Sequence, residues 1–202
     1  MGLISVDENG IGIVYSNARR EVYAKYLRYK GALVYEPYGT PYVVSKDFSF
    51  DDFIQRYRQT FATTHSQTAS GGPGGLVVYQ MAVAGILAYR FWTCGPDDLQ
   101  RAYNGERHYD GNGFVVAFTP VASFVYGVAG AILGVPEAEC NAGGGALNYY
   151  NKHLRENSDG TVGNENIDTG GMVGNNPNNT VHIRAGYNFV DHYVHWWGLS
   201  DP

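Results

Sequence analysis

Two apolar runs decide how this chain folds: LVVYQMAVAGILAYRFW at Leu76–Trp92 and GFVVAFTPVASFVYGVAGAILGV at Gly113–Val135. The first holds one charge, Arg90, and the second holds none. Each approaches the ~20 residues that a bilayer-spanning helix needs. Gln80, Thr119, Pro120 and Ser123 interrupt them, however, and a mean hydropathy of −0.27 reads as that of a soluble chain. The two runs are therefore expected to be central helices, hydrophobic all round because other helices cover them. Gly127, Gly130, Ala131 and Gly134 let backbones approach closely, with Gly130 and Gly134 at the four-residue spacing of tight helix pairs.

Working outward, Pro136 opens a further helix at its first position, with Glu137 and Glu139 in the first turn, running to about Glu156. The triplet Gly143–Gly145 interrupts it and predicts a kink or a close neighbour, because each helical glycine costs roughly 1 kcal/mol relative to alanine. Upstream, SFDDFIQRYRQTF reads as a helix capped by Ser49, with Phe53, Tyr57 and Phe61 on one face and Asp51 and Asp52 as first-turn acids. Residues 66–75 read as a Gly-rich surface loop, with a linker between subdomains as the alternative. The run from Ser16 to Gly31 predicts a helix with a basic, solvated face, and residues 32–46 an extended loop or small hairpin. Residues 1–15 read as an irregular arm or short strand. Residues 157–179 are rich in Asn, Asp and Gly and predict a long exposed loop; TVHIRAGYNFVDHYVHWW predicts the last helix, ending at Gly198.

The expected architecture is mainly α: one compact helical domain over residues 1–202, with two central apolar helices, a short irregular or β N-terminal region and a long Asn/Gly-rich loop. Its 202 residues and 44% hydrophobic content suffice for one sizeable core. The 14 Lys and Arg against 19 Asp and Glu give a net charge of −5, and after Thr161 the only basic residue is Arg184. Phosphate-backbone binding needs a concentrated positive field, so a nucleic-acid partner is not favoured. The acidic start MGLISVDENG lacks the basic and apolar regions of a signal peptide. Cys94 and Cys140 allow at most one disulfide and do not decide the redox compartment.

The chemistry-bearing residues are few. NGERHYDGNG places Glu106, His108, Tyr109 and Asp110 in a Gly-bounded loop between the two apolar helices, the densest set of ionisable groups, although a solvated loop is the favoured explanation of it. Glu137 and Glu139, two apart, point to different faces, so only one can face a cleft. His182, Asp191, His192 and His195 share the last helix, but no HExxH or CxxC frame exists and no metal site is assigned. Neither cysteine lies in a hydrolase signature, and no Walker or dinucleotide loop occurs, so no cofactor is expected.

Three patterns resemble the polymorphic toxin type 44 family: Tyr23–Lys25 with Gly71–Gly75; Tyr126, Gly127, Gly130 and Gly134; and Gly174 and Pro177 leading to Ile183. The likeness covers roughly residues 20–193. It implies a mostly helical bacterial toxin domain, delivered by a secretion apparatus and neutralised by a cognate immunity protein. The family carries Asn or His before the YG pair, acids in the GxxPxx motif and an aspartate after the GG. Here Val125, Asn175, Asn176 and Gly75 stand there, which removes candidate bases and leaves Glu106, His108, Asp110 and Glu137 as the catalytic candidates.

With Tyr126, Asn175, Asn176 and Trp196 as substrate-binding candidates, the expected function is an antibacterial effector. It would act in the periplasm of a target cell by hydrolysing an envelope polymer such as peptidoglycan, since two carboxylates suffice for glycoside hydrolysis. Three alternatives stand beside it: a pore former that inserts residues 76–92 and 113–135, a cytosolic nuclease toxin, and a non-enzymatic binding module.

Overall fold

The computed structural model describes residues 11–15, 41–45, 48–69, 71–93, 95–99, 119–156, 160–164, 167, 169 and 174–191. Among these residues the chain is mainly α, with five helices: α1 (Phe50–Ala69), α2 (Gly72–Phe91), α3 (Thr119–Ile132), α4 (Glu137–His153) and α5 (Pro177–Phe189). Strands β1 (Ile11–Tyr15) and β2 (Pro41–Ser45) pair antiparallel, Ile13 opposite Val43. Of the arm or short strand expected over 1–15, residues 11–15 form β1 and residues 1–10 lie outside the described residues, as do the helix expected at 16–31, the loop at 104–113 and the last helix beyond Asp191.

α1 begins where Ser49 Oγ accepts the Asp52 N–H at 3.2 Å, closing one of the donors that a helix start leaves open. Phe50, Phe53, Ile54 and Tyr57 then recur at helical spacing and are buried. The Gly-rich loop expected at 66–75 is instead mostly helix: α1 runs to Ala69, Gly71 lies in a turn and α2 begins at Gly72. Thr68 satisfies its hydroxyl on the Thr64 carbonyl at 3.0 Å, and Pro73, which needs no N–H partner, sits in the first turn of α2. Gly72 takes φ +55°, and Gly75 lies against the Thr68 carbonyl, so α1 and α2 meet backbone to backbone at this corner.

α3 is the central helix. Val121, Phe124, Val125 and Val128 are fully buried, and each such side chain contributes about 1.5–3 kcal/mol. Phe50 of α1 stacks on Phe124 with centroids 5.8 Å apart and meets Phe189 of α5 edge-on at 5.4 Å. The closest packing is between α3 and α5: Gly127 lies against the Ile183 carbonyl and Gly186 against that of Phe124. Gly130 faces Cys140 and Tyr187. Gly134, read as part of the same packing stripe, follows the helix instead and turns the chain at φ +70°.

α2 departs from the expected pair of central helices. It buries Val83, Leu87 and Phe91, while Leu76, Val77, Val78, Met81 and Tyr89 remain exposed. Apolar composition reports that a helix avoids water but not which neighbour covers it. The helix expected to reach Glu156 ends at His153, and its glycine triplet causes no interruption because close neighbours fill the space, as described below. The polar loop expected over 157–179 ends three residues early: Asn176 Oδ1 accepts the Asn178 N–H at 2.8 Å and Pro177 opens α5.

Candidate functional site

Four of the residues read as catalytic or substrate-binding are described, and all four gather on α4 and its neighbours. Glu137 lies in the first turn of α4, where the helix dipole favours a carboxylate. Its Oε1 accepts from Arg184 Nε of α5 at 3.0 Å, tying the two helices across an exposed ion pair. Tyr126 reaches from α3, and a β-carbon at Gly143 would stand 2.7 Å from its hydroxyl. Asn175 packs on α4 at Gly144, where a β-carbon would stand 2.6 Å from its Nδ2. The glycine triplet is thus the place where α4 admits side chains from α3 and from the turn before α5. Asn176 caps α5 beside it. Glu106, His108, Asp110 and Trp196 lie outside the described residues.

The wall these residues form is lined by amides. Asn148 Nδ2 donates to Asn175 Oδ1 at 2.8 Å, and Asn141 Nδ2 donates to the Glu137 carbonyl at 3.1 Å. Asn175 Nδ2 and Asn141 Oδ1 are both buried without a hydrogen-bond partner. A buried unpaired donor or acceptor costs about 1–3 kcal/mol, so this wall holds one of each in an unfavourable state.

Behind the wall sits a neutral cluster. Cys140 is a free, buried thiol packed against Gly130 of α3. Burial pushes it above the usual thiol range, outweighing the hydroxyls of Tyr187 and Tyr126 that hydrogen-bond to it. Burial likewise holds the Tyr126 and Tyr187 phenols well above the usual tyrosine range, with Cys140 adding to both shifts. Tyr187 Oη donates to the Val135 carbonyl at 2.6 Å. Cys140 therefore lacks the thiolate character of a nucleophile. His182 is half-buried on α5 and falls below the usual imidazole range through loss of solvent. Among the described residues no group of three or more His, Cys, Asp or Glu side chains is placed to hold a metal ion.

A second charged cluster escaped the reading of the sequence. Asp97, 5% exposed at its side chain, accepts from Tyr57 Oη at 2.6 Å, Arg90 Nε at 2.5 Å and Arg56 Nη2 at 3.1 Å. Arg56 and Asp97 stand 41 positions apart, beyond the reach of any spacing rule. The amides Asn141 and Asn148 were also missed, although with Glu137 and Gly144 they form a helical stripe at steps of four, three and four. Arg184, the one cation after Thr161, carried a signal of its own: a lone basic residue in an acidic stretch calls for a partner.

Comparison with known proteins finds no family model, no curated protein and no solved structure that matches this chain.

Proposed function

We propose that this chain is an effector domain of the polymorphic-toxin kind that hydrolyses a cell-envelope polymer such as peptidoglycan. The observation that carries the reading is the α4 wall. One partly exposed carboxylate, Glu137, stands among amides with an unpaired donor at Asn175 and an unpaired acceptor at Asn141. Amide side chains beside a carboxylate suit the hydroxyl and acetamido groups of a glycan strand, and a chain of net charge −5 does not suit a nucleic acid. In this reading Glu137 serves as acid or base at a glycosidic bond. The second carboxylate that such cleavage needs comes from Glu106 or Asp110, with His108 beside them. Tyr126, Asn175, Asn176 and Trp196 bind the chain of sugars. A secretion apparatus delivers the domain to the periplasm of a target cell, and a cognate immunity protein protects the producer.

Incubation with purified sacculi tests this. The native chain should release soluble sugar fragments, and Glu137→Gln should release them ~100-fold more slowly or worse. The fold should survive the change, because an ion pair to the 64% exposed Arg184 is worth under about 1 kcal/mol. Equal release by both proteins, or release by neither, overturns the assignment.

A further inference from the structure

Glu137 is tied at its backbone and at its side chain. Its carbonyl accepts from Asn141 Nδ2 at 3.1 Å, one turn along α4, and its Oε1 accepts from Arg184 Nε of α5 at 3.0 Å. A glutamate side chain keeps several rotamers in water, and the 32% exposure of this one leaves room for them. Arg184 removes that freedom through one oxygen only. Oε1 is engaged, which leaves Oε2 to meet a substrate.

The supports behind the two side chains are firm. Ile183 and Ala185, on either side of Arg184, are buried, and Gly127 of α3 lies against the Ile183 carbonyl. On α4, one turn from Glu137, the buried Cys140 packs on Gly130 of the same α3. Donor and carboxylate thus project from two helices locked to one neighbour, and the core sets their separation. Stability does not call for the pair, because exposed ion pairs add little and glycine contacts already dock α5. We infer that Arg184 is a positioning residue for Glu137: it holds Oε1 so that Oε2 is the oxygen presented to the bond being cleaved. This rests on the reading of Glu137 as acid or base at a polymer bond. A reacting group already fixed in direction spares the reaction the cost of orienting it.

The test is sugar release from sacculi by the full chain and by four variants: Arg184→Gln, Arg184→Lys, Glu137→Gln and the double variant Arg184→Gln/Glu137→Gln. Arg184→Gln should melt with the native protein yet slow release at saturating sacculi ~10-fold, with the half-saturating amount unchanged. The contact uses one N–H and no bidentate fork, so the ammonium of Arg184→Lys should restore the rate to within ~3-fold of native. The double variant should be no slower than Glu137→Gln alone, because Arg184 acts only through that carboxylate. Arg184→Gln at the native rate overturns the inference and leaves the polymer reading standing. So does a double variant slowed by the full product of the two single effects, which would give Arg184 a role of its own. Arg184→Lys as slow as Arg184→Gln also overturns it. Glu137→Gln at the native rate overturns the polymer reading, and the inference falls with it.

Discussion

Asp97 brings a carboxylate into a nearly dry site, which is unfavourable unless its lone pairs are filled. Arg90 and Tyr57 fill them, and the loop after α2 is thereby pinned to both α1 and α2. Tyr57 is held well above the usual phenol range, first by burial and then by the Asp97 charge, so it remains a donor. Removing the acid strands Arg90 and the Tyr57 hydroxyl. Asp97→Ala should lower unfolding free energy by about 3–5 kcal/mol in urea titrations. Arg56→Ala should cost under about 1 kcal/mol, since that side chain is 43% exposed. Equal losses would contradict the assignment of the clamp to Arg90 and Tyr57. At this scale, legibility in the sequence followed distance along the chain. Ser49 was readable as a cap because its partner is three residues away, whereas nothing local links Arg56 and Tyr57 to Asp97.

Between elements, the decisive contact is α3 against α5. Gly127 and Gly186 each face the carbonyl of the other helix, so a methyl group at either must push the helices apart. Gly85 of α2 meets nothing within 4 Å. Gly127→Ala should therefore lower stability by about 1–3 kcal/mol, while Gly85→Ala should raise it by about 0.5–1 kcal/mol through better helix propensity. Thermal melts of the two single variants check this, and matching shifts would refute the packing argument. The small-residue spacing in Gly113–Val135 announced close packing correctly but not its targets. Gly127 serves α5, Gly130 serves the Cys140 cluster, and Gly134 serves the turn. Likewise the apolar run at Leu76–Trp92, with its single charge at Arg90, revealed a helix, and its bare outer face became visible only once its neighbours were placed. The candidate site was half legible: Glu137, Tyr126, Asn175 and Asn176 were named from the chain, but their meeting on α4 depends on three-dimensional approach through the glycine triplet.

For the molecule as a whole, buried neutral acids set the pH range of stability. The phenols of Tyr57, Tyr126 and Tyr187 and the Cys140 thiol all have folded pKa values raised above their free ones. Their contribution is whole below the free values, about 8.5 for a thiol and 10 for a phenol, and is lost as pH climbs through and beyond them. His182 is shifted the other way, so its contribution is present above about pH 6.5 and fades as pH falls below that value. The melting temperature should form a plateau from about pH 7 to 8.5, fall steeply above about pH 10 and fall gently below about pH 6. A flat profile to pH 11 would show that these groups are not buried as described. The mainly helical class was legible because periodicity and caps are local, while the choice of α3 as the centre rests on contacts spread across the whole chain.

The glycine contact between α3 and α5 also bears on the order of assembly. α1 ends at Ala69 and α2 begins at Gly72, and so short a connection closes at little entropic expense as soon as both helices exist. α5 reaches α3 only after closing the 44 residues 133–176 between them. Until it does, the Phe124 and Ile183 surfaces stay wet. The contact between α3 and α5 thus closes a far longer loop than the one between α1 and α2, and the two glycine-faced surfaces meet after that hairpin has formed.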